Sequence, residues 1–246
     1  MTTLFVSDLH LEAAKPEIAE QFLEFLRVEA VTSDALYVLG DLFEYWVGDD
    51  DPNAHYATIK KALHTLVDHN VPVFLMHGNR DFMIGDAFAR ETGVTLLPDP
   101  HLLDIHGTRV LLCHGDAMCT DDLKYQEVRK MTRNPGWFAM MMQKSLAERQ
   151  ALGAQARAES MAHGDTIHEA IQDVNQTAVE RNFREYGVAT ILHGHTHRPA
   201  IHKLEVDGNP VSRIVLGDWF SQGSVVRWDK DGPVLSAMER QHKRER

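Results

Sequence analysis

Five strand-like runs in this chain each end in a cluster of oxygen and imidazole donors, and that repeated ending constrains the fold more than anything else in the sequence. The clusters are Ser7-Asp8-Leu9-His10, Gly40-Asp41-Leu42-Phe43-Glu44, Gly78-Asn79-Arg80-Asp81, His114-Gly115-Asp116 and Gly194-His195-Thr196-His197. The runs before them, Thr3 to Ser7, Ala35 to Leu39, Val71 to His77, Arg109 to Cys113 and Ala189 to His193, are short, apolar and closed by a small or polar residue, as buried strands are. Parallel strands present their carboxyl ends on one sheet edge, so residues that follow several strands can meet although far apart in sequence.

Helical patterns at Glu17 to Ala30 and Ala54 to His69 alternate with the first three strands, which predicts a mostly parallel sheet with covering helices. After Ala189 the further runs Ile201 to Val206, Val211 to Leu216 and Ser224 to Trp228 are separated by turn signals at Gly208-Asn209-Pro210 and Asp231-Gly232-Pro233, which predicts an antiparallel second half. Two sheets face to face with helices outside accommodate both, an α/β fold of the αββα kind. Between them, Thr120 to about Tyr186 lacks strand signals and is rich in Ala, Met, Gln, Glu and Arg, so it is expected to be a helical cap inserted into a single domain spanning 1–246. Seven Lys or Arg side chains against Glu127 and Glu148 give residues 124–157 a local balance of +5, which for any one charge predicts a solvated helix face. Trp137, Phe138, Met140, Met141 and Met142 form an apolar cluster that suits either acyl chains or packing on the main core.

Bulk properties narrow the partners. A chain of 246 residues, 43% hydrophobic, can bury one full core. No stretch approaches the roughly 20 apolar residues of a membrane-spanning helix, and the amino terminus shows no export pattern, so neither is expected. The only two cysteines, Cys113 and Cys119, do not make a disulfide framework and point to a reducing setting. A formal charge of -11 argues against nucleic acid as a partner.

Asp8, His10, Asp41, Asn79, His114, His195 and His197 mix carboxylates, an amide oxygen and imidazoles, a set that suits Mn²⁺, Fe²⁺, Zn²⁺ or Co²⁺ better than calcium. Seven ligands exceed the needs of one ion. Two ions sharing a bridging carboxylate use them all and leave positions for water and substrate. Glu44, Asp81, Asp116, Asp121 and His193 lie beside the clusters, either to orient ligands or to form turns.

These five clusters, in this order, resemble the calcineurin-like metallophosphoesterases, whose pattern is D-x-H, G-D, G-N-[HR]-[DE], H and G-H-x-H. The resemblance implies that Asp8, His10 and His197 hold a first ion, Asn79, His114 and His195 a second, and Asp41 bridges both. It implies catalytic roles for Asp41, Asn79, Arg80, His114 and His195. Many members that cleave ordinary phosphate esters carry His where Arg80 stands; an Arg cannot protonate a leaving group near neutral pH but can grip phosphate oxygens. The leaving group must then be a good one, such as a phosphate leaving a pyrophosphate.

Longer segments, among them Gly40-Asp41-Leu42-Phe43-Glu44-Tyr45-Trp46, Asp173-Val174-Asn175-Gln176 and Leu192-His193-Gly194-His195-Thr196-His197-Arg198-Pro199, resemble the branch of that family that hydrolyses UDP-2,3-diacylglucosamine to UMP and 2,3-diacylglucosamine 1-phosphate in lipid A biosynthesis. That branch implies a pair of Mn²⁺, peripheral attachment to the cytoplasmic face of the inner membrane, and attack of metal-bound hydroxide on the uridine-bearing phosphorus; a monomer is expected. Substrate contacts carry over to Asn79, Arg80, Asp122, Ser160 and His195. Gly164 and Ile167 stand where the branch has Asn and Lys, a departure from its head-group contacts. The insertion is expected to act as a lid, with an apolar interior for two acyl chains and basic residues toward head groups. A phosphoserine or cyclic-nucleotide hydrolase would fit His at position 80 and no insertion, and a non-catalytic scaffold would lack ligands; none of the seven is missing.

Overall fold

The protein is described by a computed structural model that covers residues 2–164 and 173–239. Its first sheet has six strands in the order β11-β10-β1-β2-β3-β4, where β1 is Thr3–Val6, β2 Ala35–Leu39, β3 Val73–Met76, β4 Thr95–Leu97, β10 Gly223–Asp229 and β11 Gly232–Met238. The second has five in the order β5-β6-β7-β9-β8, namely His101–Ile105, Thr108–Leu112, Thr190–His193, Asn209–Val215 and Ala200–Val206 respectively. Phe5, Leu39 and Met76 from one sheet meet Val110, Leu112, Leu192 and Ile214 from the other in a shared core.

Helices complete the layers. Helix α1 (Pro16–Val28) starts with its proline in the first turn, where the missing N–H is no loss, and buries Ile18, Phe22, Phe25 and Leu26 on one stripe. With α2 (Ala54–Asp68) and α3 (Asp86–Thr92) it covers the first sheet. Helices α4 (Leu123–Thr132), α5 (Pro135–Met142) and α6 (Leu146–Gly164) come from the insertion. The last helix among the described residues, α7 (Gln176–Tyr186), lays Ala178, Val179 and Phe183 on Leu111 and Ile191 behind the second sheet. The αββα architecture expected from the sequence is the one found.

The antiparallel second half is found only in part. Strand β7 runs parallel to both β6 and β9. The whole insertion lies between β6 and β7 and leaves ample chain for a crossover, which a parallel pair needs. The tight turns at Asp207-Gly208 and Lys230-Asp231 give the antiparallel pairs β8–β9 and β10–β11. Strand β10 moreover leaves its sequence neighbours to pair with β1 in the first sheet. The consequence for function is that β1, β2, β3, β6 and β7 all end at one edge of the sandwich, and the five polar clusters follow them there.

Candidate metal centre and adjoining cavity

The loops after these strands are tied into one unit. Backbone N–H groups of Asp8 and His10 donate to the carbonyls of Gly40 and Asp41, at 3.1 and 3.0 Å, and Gly194 donates to the His114 carbonyl at 2.9 Å. Close approach requires glycine: a Cβ on Gly194 would fall 1.9 Å from Ser7 Oγ and 2.2 Å from Asp8 Oδ2, and one on Gly78 2.0 Å from Asp41 Oδ1. Asp8, His10, Asp41, His195 and His197 all have φ between 51° and 67°. Left-handed backbone at five non-glycine donors is strained, and such strain persists only where surrounding contacts impose it, most often at functional sites.

The seven donors converge. His10 Nε2 and His197 Nε2 face each other at 3.2 Å. Asp8 Oδ1 is 3.4 Å from His197 Nε2, in ion-pair range, and makes no hydrogen bond. Asp41 Oδ2 lies 3.7 Å from both His10 Nε2 and His114 Nε2. Asn79 Oδ1 is 3.0 Å from His114 Nε2 and 2.9 Å from His195 Nδ1. Asp41 thus stands between an Asp8/His10/His197 group and an Asn79/His114/His195 group, and the acidic and imidazole donors fall into two sets compact enough to hold a cation, Asp8-His10-His197 and Asp8-Asp41-His114.

The outward nitrogens support the same fit. His10 Nδ1 is 2.9 Å from Glu44 Oε2, His114 Nδ1 2.9 Å from the Leu39 carbonyl oxygen, and His197 Nδ1 3.6 Å from Asp218 Oδ2. Metal-ligating histidines are typically oriented this way, one nitrogen on an oxygen and the other turned to the ion. The buried charge agrees. Burial alone would lower the pKa of His114, yet Asp41, Asp116 and Asp8 raise it to about 9. Burial opposes ionisation of Asp8 too, but His197, His114 and His10 hold its carboxyl well below the ordinary range. Burial and the charge of His114 push His195 down to about 3, leaving it neutral. Fully buried carboxylates that retain a proton on a neighbouring imidazole above neutrality form a hole for positive charge, and the residues fit divalent ions.

A sign follows. In the metal-free chain His114 is protonated in the folded state up to about pH 9, against 6.5 when unfolded, so its stabilising contribution is full below 6.5 and lost as pH rises through 9. A ligand imidazole must be neutral, so metal uptake at neutral pH is expected to release that proton. Calorimetric titration with MnCl₂ in buffers of different ionisation enthalpy should therefore give different apparent heats; identical heats would contradict the assignment.

Other side chains hold the loops. Asp81 accepts from the backbone N–H of Leu42 at 2.7 Å and of Gly78 at 2.8 Å. Asp116 is wholly buried and accepts from Tyr125 Oη at 2.5 Å and Arg129 Nε at 2.9 Å, which fixes α4 to the rim. His193 reaches the Gly194 carbonyl, whereas Asp121 contacts Asn175 away from the donors.

Beside Asn79 and Arg80 a cavity of about 270 Å³ opens between core and cap, lined in part by Trp46, Phe82, Tyr125, Trp137, Met141, Leu152 and Ser160. Arg80 lines it with a buried Nε that has no hydrogen-bond partner. Ser160 is among the residues that line this cavity. Asp122 is placed as the N-cap of α4, accepting from Tyr125 N–H at 3.0 Å, and is not in the cavity wall. Gly164 is the last residue of α6, and Ile167 lies outside the described residues.

Within the apolar cluster Met141 is buried in the first core and Trp137 packs on Phe82 at 5.7 Å, while Phe138, Met140 and Met142 remain exposed. The solvated-face expectation fails for four of the basic side chains. Arg149 is 2% exposed and binds Asp50 and the Val47 carbonyl. Arg129 pairs with Asp116 and Asp99, Arg157 with Glu44 and Glu12, and Arg133 donates to the Gly78 carbonyl at 2.7 Å. Carboxylates and backbone carbonyls on the first half of the chain claim these charges, which a local count along the insertion does not register.

Comparison with known proteins places this geometry. The calcineurin-like phosphoesterase family matches residues 1–199. UDP-2,3-diacylglucosamine hydrolase of Xanthomonas axonopodis pv. citri is 50% identical over 97% of this chain and 99% of its own length. The protein of the same name from Stenotrophomonas maltophilia is 48% identical over 98% of this chain and 100% of its own. Among solved structures an archaeal phosphodiesterase aligns with a TM-score of 0.50 over 97% of this chain and 100% of that one, at 14% identity, a likeness of fold alone. The chain belongs to the calcineurin-like phosphoesterase family and, within it, to the family of the UDP-2,3-diacylglucosamine hydrolases.

Proposed function

We propose that this chain hydrolyses the pyrophosphate bond of UDP-2,3-diacylglucosamine, giving UMP and 2,3-diacylglucosamine 1-phosphate in lipid A biosynthesis. The observation that carries this reading is the apolar cavity opening at Asn79 and Arg80, against the seven-donor cluster. A donor cluster alone suits any phosphoesterase; an adjoining apolar cavity favours a substrate that carries an apolar group.

Family membership implies divalent metal ions. We propose a pair of Mn²⁺, the first on Asp8, His10 and His197, the second on Asn79, His114 and His195, with Asp41 shared. When bound, such ions make a water nucleophilic at neutral pH and offset charge on phosphate oxygens. The chain's own part is positioning and electrostatics. Arg80, its backbone N–H donating to Asp41 Oδ1 at 2.8 Å, offers its guanidinium to the non-bridging oxygens, beside Asn79, whose Oδ1 lies 2.9 Å from His195 Nδ1. No side chain has to protonate the leaving group, because a sugar phosphate departs as a stable anion.

Phe82, Trp137, Met141 and Leu152 line the space for acyl chains, and Ser160 faces the same space. We read the whole chain as one catalytic domain with the cap as its lipid-binding wall, a monomer that works at the cytoplasmic face of the inner membrane. No described helix is long and apolar enough to cross a bilayer. Exposed Leu123, Val128, Met131, Phe138 and Met140 around the cap instead suit peripheral contact with lipid.

Turnover of UDP-2,3-diacylglucosamine by the Mn²⁺-loaded chain in heavy-oxygen water tests the reading. The label is expected in UMP; label in the sugar phosphate, or no turnover, overturns it. Each buried methylene contributes about 0.8 kcal/mol. Removing both acyl chains is therefore expected to lower kcat/KM by at least about a hundredfold, since even four buried methylenes amount to roughly 3 kcal/mol. Equal efficiency with deacylated substrate would remove lipid recognition by the cap.

A further inference from the structure

The outer face of the second sheet carries a charge where its alternation calls for an apolar side chain. Val211, Arg213 and Val215 share one face of β9, and Val211 lies in the core under α7. Arg213 is nonetheless only 7% exposed. Its Nη1 meets His193 Nε2 at 3.1 Å, and His193 Nδ1 donates to the Gly194 carbonyl. With Nδ1 holding the proton, Nε2 is left to accept from the guanidinium, which makes the ring the neutral tautomer. It therefore supplies an acceptor but no counter-charge.

Arg213 Nε is buried and bonds to nothing, and the same holds for the Thr196 hydroxyl, which stands between His195 and His197. Both line a crevice of about 250 Å³ together with Asp173, Arg198 and His202. Asp173 is shared: its Oδ2 is 3.1 Å from Arg198 Nη1, and its charge acts on Arg213 without a direct ion pair. Among the described residues no carboxylate forms an ion pair with Arg213, so its buried guanidinium has no direct counter-ion there. A buried charge is tolerated when something pairs with it. The crevice shares no lining residue with the cavity beside Arg80.

We propose that this crevice is a second oxyanion site, in which Arg213 Nε–H and the Thr196 hydroxyl donate to an anion of the phosphate class. A guanidinium edge beside a hydroxyl suits tetrahedral oxygens. Because Thr196 belongs to the loop that carries His195 and His197, occupancy would bear on the placement of both imidazoles. The anion can come from free phosphate or from the phosphate of UMP, and the chemistry at Arg213 is the same.

Binding, not turnover, tests the site, so the outcome is independent of the substrate assigned above. Equilibrium dialysis of the full Mn²⁺-loaded chain against labelled inorganic phosphate is expected to show one equivalent beyond that held at the metal centre. Asp41→Ala should keep the extra equivalent and Arg213→Gln should lose it. An Asp41→Ala chain that binds no phosphate, or an Arg213→Gln chain with the wild-type count, overturns the proposal. If circular dichroism shows that Arg213→Gln does not fold, Thr196→Val replaces it, with an expected tenfold or greater loss of affinity at the crevice; unchanged affinity overturns the proposal equally. UMP that displaces the label from Asp41→Ala identifies the nucleotide as the source, and failure to displace it identifies free phosphate.

Discussion

Asp41→Ala is expected to lower kcat by at least about a thousandfold while the metal-free chain folds as before. Deleting a single group that stabilises developing charge commonly costs about 10²–10³ in rate. Asp41 stands between both donor groups, 3.7 Å from His10 and from His114, so its loss touches both at once. Stability should respond differently. Burial, reinforced by Asp81 and Asp8, raises the Asp41 carboxyl above its ordinary range against the pull of His114 and His10. Removing it sacrifices a hydrogen bond from Arg80 N–H, worth about 1 kcal/mol, but also removes a buried like charge. Without metal the variant should therefore melt within a few degrees of wild type. With saturating Mn²⁺ only the wild type should gain stability, because only a native state that binds the ion is stabilised by it. Full turnover with normal metal content would refute the role of Asp41.

Gly194→Ala is expected to damage the same centre from the backbone side. The added Cβ falls 1.9 Å from Ser7 Oγ and 2.2 Å from Asp8 Oδ2, far inside contact distance. Neither neighbour can turn away freely: Ser7 Oγ donates to Asp8 Oδ2 at 2.6 Å, and Asp8 Oδ2 accepts from His195 N–H at 2.9 Å. The loop is held as well, through Gly194 N–H on the His114 carbonyl. Relief must come from displacing Asp8 or the His195-His197 loop, at a cost of roughly 2–3 kcal/mol for overpacking a rigid site. Denaturant unfolding should show that loss, and metal analysis should show an emptied first position. Wild-type stability with both ions bound would mean that the close approach at Gly194 does not constrain the centre.

The donors were legible because each follows a strand whose apolar run is visible, and strand ends of an α/β sandwich converge. Glycines at positions 78 and 194 marked close approach for the same reason. What the sequence hid arrives through space. Asp218 reaches His197 from the loop after β9, Tyr125 and Arg129 reach Asp116 from the cap, and nothing in their local spacing marks those meetings. Asp122 had a local signal of another kind, an acidic residue directly before a helix, and it caps α4 by accepting from Tyr125 N–H. Strands β4, β5 and β11 were missed because they are edge strands or lie beside edges with half-exposed, mixed faces. Strand direction was misread where hairpin turns at two places were extended to β7, whose partner lies across the whole insertion.

Anomalous scattering from a crystal of the full chain grown with Mn²⁺ tests the central claim most directly. Two manganese peaks are predicted, one within reach of Asp8, His10, Asp41 and His197 and the other of Asp41, Asn79, His114 and His195. A fully active chain whose crystals show no manganese between Asp41 and these histidines would contradict the account.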